Sequence, residues 1–428
     1  MKKLLIIIIL LAAILLGAPF FIGSSAESQV RQMYTSIDEH PAISLKLTEY
    51  QKGWLESAAK VELSFEAPEF NEVPRIVFTQ KIYHGPILWK ANGFGLGIAD
   101  SIYGAELPDD VKAELAKVDS INEDTFKVTT RIGFGGSFES HLALKPFSFE
   151  KDNVKLDVEA ANIDSNFDAS GIIKGEGHWG GMTVTKEGNE AFTMKGMTLS
   201  SNQTLISGTM FSPDMLTAGD VKFSIEQINV VGENPGQNVK VGDAYINADS
   251  SVEAGLMNFS LVFGAKSIDA IGKSFTDLIY DISFDNLDIE SVQELNKLAS
   301  DPVLKTNPMA GMAKIQGMLP QLVEKNPIIK INQLGVVTPE GDISSDLVFA
   351  IDQELYDANN PMTMMFAMDA KAKGHAPELF FTQMGLGGQI EQMIQQNFLV
   401  RDNGQLKFDF MFKQGQATLN GQPMPMGM

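Results

Sequence analysis

The chain holds five histidines and no cysteine, and these counts limit the metal and nucleophile chemistry that it can support. No two histidines have the short spacing that places two imidazoles on one metal ion. Without thiolates, sites for soft metals are excluded as well. The sequence therefore predicts no metal-binding residues. The five are His40, His84, His141, His178 and His375.

His84 is the histidine with the most chemical interest, because Gly85 and Pro86 follow it and would turn the backbone sharply. A general base needs a nucleophile within hydrogen-bond reach, and no nucleophile pattern accompanies this residue. A histidine that stabilises the turn is the favoured interpretation. We expect His141 to lie exposed on the polar face of a strand, and His40 to cap a helix end.

Two short motifs are similar to ligand-binding loops but lack residues that those loops require. Residues 93–97 read Gly-Phe-Gly-Leu-Gly, yet they lack the third glycine at nucleotide-loop spacing and no helix follows to hold a phosphate. Asp164, Asn166 and Asp168 alternate like calcium ligands, but Ala169 stands where that loop needs glycine. The sequence thus predicts no catalytic residues and no cofactor-binding residues, and we expect no cofactor and no enzymatic activity.

Most of the chain beyond residue 42 alternates apolar and polar residues with a period of two, which is typical of antiparallel sheet covered on one side. Between Val221 and Val230 the apolar positions change phase, which predicts a β-bulge or a strong local twist. Turn residues separate the runs at Gly135-Gly136, Asp152-Asn153 and Asn403-Gly404. The clearest alternating runs are 61–65, 126–132, 154–158, 257–263 and 406–412.

The fold class that these patterns predict is mostly β with a few helices: a long twisted antiparallel meander, arranged either as a sandwich or as an open groove, preceded by one N-terminal transmembrane helix. Helical spacing predicts helices over residues 26–39, 108–118, 289–300, 307–325 and 377–398. Pro320 is expected to kink the fourth, and Gly385, Gly387 and Gly388 weaken the middle of the fifth.

The N-terminal run from Leu4 to Ile22 contains no charged residue and follows Lys2 and Lys3. As a helix it would reach about 28 Å, close to the hydrocarbon thickness of a bilayer. Its length favours a retained anchor, whereas Ser24-Ser25-Ala26 offers a cleavage site for a removable signal. The flanking lysines place the N-terminus in the cytoplasm and the bulk of the chain in the periplasm.

The remaining organisation follows from these elements. We expect a transmembrane anchor or uncleaved signal over residues 1–23, a linker helix over 24–41, an antiparallel β domain over 42–290, and an α+β C-terminal part with amphipathic helices over 291–428.

The chain is strongly acidic, with 33 Lys and Arg against 54 Asp and Glu and a net charge of −21. Such a chain is repelled by phosphate backbones, so nucleic-acid binding is excluded. The 21 methionines concentrate after Met309. They fit either the filling of an apolar core, which is favoured, or an adaptable apolar surface for a partner.

Several short motifs resemble those of the YdgA-like family of bacterial envelope proteins of unknown function. They are Tyr50-x-x-Gly53-x-x-x-Ser57, His84-Gly85-Pro86, Arg131-Ile132-Gly133-Phe134 leading to Leu144-Lys145-Pro146, and the closing Leu419-Asn420-Gly421-Gln422-Pro423-Met424. Their order extends over nearly the whole chain. The resemblance implies a β-rich protein at the inner membrane or in the periplasm of Gram-negative bacteria, and it brings no catalytic residues with it.

Three functions are compatible with these observations. The first is a non-enzymatic envelope protein that binds an apolar or lipid ligand on a β-surface. The second is a membrane-tethered scaffold or assembly factor that binds another envelope protein through a sheet edge or the methionine-rich segment. The third is a hydrolase whose site is assembled from residues distant in sequence. The sequence leaves the oligomeric state open.

Overall fold

A computed structural model of the chain describes residues 22–424, except 33, 36–42, 66–75, 107–120, 123–124, 210–213, 233, 300–313, 315–316 and 319. The chain forms two compact units. Unit 1 is Met1–Glu187, Thr198–Thr217 and Asn296–Thr306, and unit 2 is Gly188–Met197, Ala218–Leu295 and Asn307–Met428. Residue 290 lies inside unit 2, and the domain boundaries expected from the sequence stay a prediction.

Unit 1 begins with helix α1, which comprises residues 22–32 and 34–35, and continues as an antiparallel sheet. Two further short strands, β4 (Ile87–Leu88) and β5 (Gly95–Leu96), pair only with each other. The strands of the sheet are β1 (Ile43–Lys52), β2 (Glu56–Phe65), β3 (Ile76–His84), β6 (Ala99–Glu106), β7 (Phe126–Ile132), β8 (Phe138–Leu144), β9 (Phe147–Lys151), β10 (Val154–Val158), β11 (Ala161–Phe167) and β12 (Ile172–Lys186).

Neighbours in this sheet follow the order β1–β2–β3–β6–β7–β8–β11–β12–β10–β9, and every pairing is antiparallel. Consecutive strands pair over most of this order, so connections alternate between the two ends of the sheet. The meander predicted from the alternation is therefore confirmed for unit 1.

The core of unit 1 lies between helix α1 and strands β1–β3, β6 and β7. Ala26, Val30 and Tyr34 recur every fourth residue along α1 and are buried, which is the spacing that places side chains on one face of a helix. They pack with Val61 and Ile82 in the same cluster. The helix expected from residue 26 is present, and its described part already includes residues 22–25.

Unit 2 consists of longer antiparallel strands, bordered by short helices. Strand β13 (Asn189–Ser207) runs through both units. The strands of unit 2 are β14 (Leu216–Val230), β15 (Val239–Glu253), β16 (Leu256–Ala270), β17 (Lys273–Asp288), β18 (Ile328–Thr338), β19 (Gly341–Ile351), β20 (Met368–Pro377), β21 (Val400–Asp402), β22 (Gln405–Lys413), β23 (Gln416–Leu419) and β24 (Gln422–Pro423).

These strands pair in the order β14–β15–β16–β17–β18–β19–β20–β22–β23–β24, with β21 added along β22. The β14–β15 ladder is interrupted at Glu226 and Asp243, and Asp243 has a φ of 47°, but the register does not shift across the interruption. The β-bulge or strong local twist predicted between Val221 and Val230 stays a prediction.

The helices are α2 (Ile289–Ala299), α3 (Met364–Ala367), α4 (Glu378–Gln383) and α5 (Gly387–Gln395), with single 3-10 turns at Pro235–Gln237, Gln353–Leu355 and Pro361–Thr363. The helix expected over 289–300 is confirmed. The one expected over 377–398 is two helices, because Gly385 adopts a φ of 81° between them. Of the helix expected over 307–325, positions 314, 317–318 and 320–325 are described. All of these up to residue 323 are helical and 324–325 form a turn; its kink stays a prediction.

The helix expected over 108–118 lies outside the described residues, as does the transmembrane helix apart from its last residue, Ile22. In the part of the chain that the structure describes, no helix has the length and apolar character needed to cross a bilayer.

Candidate functional site

His84, at the end of β3, is buried and holds the turn between β1 and β2. Its Nδ1 lies 2.8 Å from the carbonyl oxygen of Trp54, and its backbone N–H donates to the Leu55 carbonyl over 2.9 Å. Because a carbonyl only accepts, Nδ1 carries the proton and Nε2 is left as an acceptor. Nε2 lies 2.9 Å from the hydroxyl of Ser57. His84 therefore bonds the β1–β2 turn, and not the His84–Pro86 turn from which its role was predicted.

The Ser57–His84 pair has the separation of a nucleophile and its base, but it is enclosed. Ser57 is 3% exposed and His84 is 6% exposed. Helix α1 closes the other side, since a Cβ on Gly23 would stand 2.6 Å from the imidazole ring. The sequence did not predict Ser57 as the partner, although the family motif that ends at this serine was a signal for it.

We expect Ser57→Ala to destabilise unit 1 by about 1–3 kcal/mol, because it leaves the buried Nε2 of His84 without a donor. Thermal unfolding of the full chain measures this, and Ser165→Ala, at an exposed position on β11, is the control for loss of a hydroxyl. An unchanged unfolding transition together with loss of an esterase activity would instead assign the pair to the hydrolase hypothesis.

The motif Tyr50-x-x-Gly53-x-x-x-Ser57 is the β1–β2 hairpin itself. A Cβ on Gly53 would stand 2.4 Å from the carbonyl oxygen of Glu56, so the tight turn requires glycine. The guanidinium of Arg31 on α1 lies 5.3 Å from the Tyr50 ring centroid and ties the hairpin to the helix. Burial raises the pKa of the Tyr50 phenol, and the adjacent Ser57 hydroxyl partly offsets that rise.

A buried polar cluster next to this hairpin was not predicted from the sequence. Gln80 on β3 accepts a hydrogen bond from the Tyr34 hydroxyl at 3.0 Å and donates to Ser101 and Tyr103 at 3.0 Å each. Burial raises the pKa of the Tyr34 phenol far above its usual value. The available signal was position: Gln80 alternates with Ile82 and His84 on the inward face of β3.

A groove of about 1700 Å³ lies along strands β1–β3, β6 and β7 of unit 1, and Ser57, Gln80 and Tyr103 form part of its wall. It is larger than the few hundred to about 1,000 Å³ typical of small-molecule sites. Charged side chains from β1–β3 and β7 also line it. Its apolar lining is Ala58, Ala59, Ile102, Ile121, Phe126, Leu144 and Phe147.

The loop over residues 93–97, rejected as a nucleotide site, packs on an ion pair. Arg131 donates to both carboxylate oxygens of Asp100 at 2.8 and 2.9 Å, and to the Gly93 carbonyl at 2.7 Å. The Asp100 side chain is fully buried. A Cβ on Gly95 would stand 2.1 Å from a guanidinium nitrogen. The glycines therefore allow close packing on Arg131.

The remaining histidines and the residues of the calcium-like motif are dispersed. His141 is exposed and pairs with Asp164 at 2.5 Å, and His375 pairs with Asp342 at 2.5 Å, which lowers the pKa of that carboxyl. Asp168 accepts from the Ser170 and Ile172 amides in a turn. His178 lies opposite Asn162 in the sheet, and His40 lies outside the described residues. No cluster that could hold a metal ion occurs among the residues described.

Unit 2 carries an extensive apolar surface, built from rows of directly opposed residues on one face of its strands. Opposed residues in antiparallel strands share a face. The central row runs across nine strands and contains only apolar residues. Its members, from β14 to β23, are Val221, Ala248, Leu261, Ile282, Ile331, Leu347, Ala372, Phe410 and Leu419.

Two flanking rows extend this surface, which we call the apolar face. Ring pairs confirm the alignment: Phe259 and Phe284 have centroids 6.2 Å apart, and Phe263 and Tyr280 have centroids 5.0 Å apart. One flanking row contains Phe259, Phe284, Ile329, Phe349, Ala370, Phe412 and Ala417; the other contains Phe223, Ile246, Phe263, Tyr280, Leu334, Ser345, Gly374 and Phe408.

The apolar face is only partly covered. From Val221 to Phe410 no member of the central row reaches full burial, and Ile246, Phe263 and Leu334 are 41–46% exposed. Full burial is limited to the β22–β23 end, at Phe412, Ala417 and Leu419. The alternate positions carry the polar face, where Lys330 and Lys371 flank Val348.

Comparison with known proteins gives a match along the chain. Residues 1–427 match a family described as bacterial proteins of unknown function, DUF945. The chain is similar to the uncharacterised protein YihF of Escherichia coli K12, with 22% identity over 89% of this chain and 86% of that protein. It is similar to protein YdgA of the same organism, with 21% identity over 84% of this chain and 80% of that protein. No solved structure gives a significant match.

Proposed function

The chain belongs to the DUF945 family of bacterial proteins of unknown function, and we propose that it is a non-enzymatic envelope protein that binds lipid acyl chains on the apolar face of unit 2. We further propose that residues 4–22 anchor it in the inner membrane, with the N-terminus cytoplasmic and residues beyond 22 periplasmic. The apolar run after two lysines supports this orientation.

The observation that carries the proposal is the central row of the apolar face, which is only partly covered from Val221 to Phe410. Neighbouring strands lie about 4.8 Å apart, so a row across nine strands runs about 38 Å. Contiguous exposed apolar patches above a few hundred Å² are rare on soluble proteins and mark sites of interaction. A sheet packed in a sandwich buries its facing side chains, and within the three rows only Phe412, Ala417 and Leu419 are buried to that degree.

An acyl chain fits this surface better than a compact ligand does. The rows offer length and continuous apolar contact, and no charged residue belongs to the three rows. Burying an alkyl chain contributes about 0.8 kcal/mol for each methylene group removed from water. The binding energy is therefore distributed along the rows.

We expect the full chain, purified without detergent exchange, to carry lipid in native mass spectrometry. Leu347→Glu places a carboxylate in the central row and is expected to reduce the lipid-bound fraction at least about tenfold, because desolvating an ion costs several kcal/mol. Val348→Glu is the matched control: it is adjacent in sequence but lies on the polar face between Lys330 and Lys371.

Equal lipid occupancy in the two variants would show that lipid binds outside the apolar face. A wild-type chain that carries no lipid would contradict the proposal. Circular dichroism of both variants checks that the sheet is retained.

A second candidate is a scaffold that binds another envelope protein, and the exposed side chains of Met362 and Phe366 favour it. Methionine adapts to varied apolar partners. In-cell crosslinking from position 362 that recovers no partner would contradict this function, and it would leave the lipid proposal untouched.

A further inference from the structure

We propose that one end of unit 1 is a membrane-docking surface, which places aromatic side chains in the headgroup region of the bilayer that holds residues 4–22. This inference goes beyond acyl-chain binding in unit 2. It rests only on the anchor proposed above.

Three connections of the unit 1 sheet lie at the same end. They are the β1–β2 turn, the β3–β6 connection with its small β4–β5 hairpin, and the β7–β8 turn. Because the strands pair as β1–β2–β3–β6–β7–β8 in antiparallel order, every second connection shares an end. Backbone contacts confirm this, since Ile98 N–H donates to the Ile132 carbonyl at 2.7 Å and His84 N–H to Leu55.

These connections expose six large apolar side chains, which we call the aromatic end. Each is 55–80% exposed, an unusual density for loops that are normally polar. The tryptophans have an apolar ring and an N–H donor, the combination that is enriched where a membrane meets water. The members are Trp54, Leu55, Trp89, Phe94, Leu96 and Phe134.

The loops beneath the aromatic end are fixed rather than loose. Leu88 of the β4–β5 hairpin is 2% exposed, so its side chain packs the hairpin against the unit. Arg131 donates hydrogen bonds to Asp100 and to the Gly93 carbonyl. Ile87 pairs with Leu96 across the hairpin. The exposed side chains therefore stand on a rigid base, and little ordering entropy opposes their insertion.

The first described residues of α1 lie at this same end of unit 1, which identifies the partner. The described part of helix α1 begins at Ile22, the last residue of the apolar run, and Gly23 lies against His84. Lys52, beside the β1–β2 turn, donates to the Ser24 hydroxyl. An anchor leaving the bilayer at Ile22 thus brings the aromatic end to the membrane surface. Lys90 adds an exposed cation there, suited to the interface.

The chain has three tryptophans, which allows a direct depth measurement. Trp179 is the internal control, because it pairs with Ala161, at the end of β11 opposite to Phe167 and the aromatic end. The full chain is reconstituted in phosphatidylcholine and phosphatidylethanolamine vesicles with brominated acyl chains. Three single-tryptophan variants are compared: Trp89→Phe with Trp179→Phe, Trp54→Phe with Trp179→Phe, and Trp54→Phe with Trp89→Phe.

We expect bromine to quench Trp54 and Trp89 at least twice as strongly as Trp179. Equal quenching of all three in a chain that floats with the vesicles overturns the docking surface and leaves the anchor intact, and a protein partner or a second copy would then be the occupant of the aromatic end. A chain that does not float with the vesicles overturns both the anchor and the docking surface.

Discussion

Asp100→Asn is expected to lower the free energy of unfolding of unit 1 by about 3–5 kcal/mol, because it leaves the Arg131 guanidinium largely buried without its counter-ion. The Asp100 side chain is 0% exposed and Arg131 is 13% exposed. The affected peptides are those of β6 and residues 93–97, and hydrogen exchange by mass spectrometry measures their loss of protection in the full chain.

Two controls separate this from a general effect of charge removal. Asp157→Asn breaks the solvent-exposed pair with Lys155 in the same unit and is expected to cost no more than about 1 kcal/mol. Replacing both buried partners, with Asp100→Leu and Arg131→Met, is expected to restore most of the stability, since apolar replacements remove the need for pairing. A decrease of less than about 1 kcal/mol in the free energy of unfolding for Asp100→Asn would contradict the stabilising role of the buried Asp100–Arg131 pair.

The strands could be predicted from the sequence because alternation reports one apolar and one polar face directly. The runs at 126–132 and 154–158 coincide with β7 and β10. Asp152-Asn153 and Asn403-Gly404 adopt the positive φ values that tight hairpins need. These are local properties, set by neighbouring residues.

Whether the apolar positions of the strands are covered could not be predicted, because alternation is the same for a sandwich core and for an open face. Leu261 and Leu347 have the pattern of core residues and are only partly buried. Coverage depends on which strands become neighbours. Strand β3 pairs with β6 across a connection of 14 residues, from 85 to 98. Local periodicity does not predict such a pairing.

The family motifs carried structural information that their residue types did not reveal. Asn420 and Gly421 form the β23–β24 turn, and the Asn420 side chain accepts from the Asp409 amide and donates to the Asn397 carbonyl at 2.8 Å each. Ser57 and His84 are 27 residues apart in sequence and meet only through sheet pairing. The motifs therefore lie at turns and at contacts between strands that are distant in sequence, which is consistent with their order along the chain.

Gly85→Ala is the second change for which we expect a large effect, since no space exists for a side chain at this position. A Cβ on Gly85 would stand 1.8 Å from the Gly97 carbonyl oxygen, a backbone atom that no rotamer change can move aside. The substitution must separate the two segments and break the bonds from Gly85 N–H to Ile98 and from Gly97 N–H to Pro86, now 2.8 and 3.1 Å.

We expect Gly85→Ala to destabilise unit 1 by about 3 kcal/mol or more, the upper end of what overpacking costs. Because the β4–β5 hairpin is displaced, hydrogen exchange should rise over residues 87–98 while unit 2 keeps its protection. Gly175→Ala is the matched control in unit 1, since its Cβ would meet only ordinary contacts at 3.6 Å and beyond. Equal stability of the two variants would show that the Gly85–Gly97 approach relaxes freely, and the rigid base assigned to the aromatic end would then be wrong.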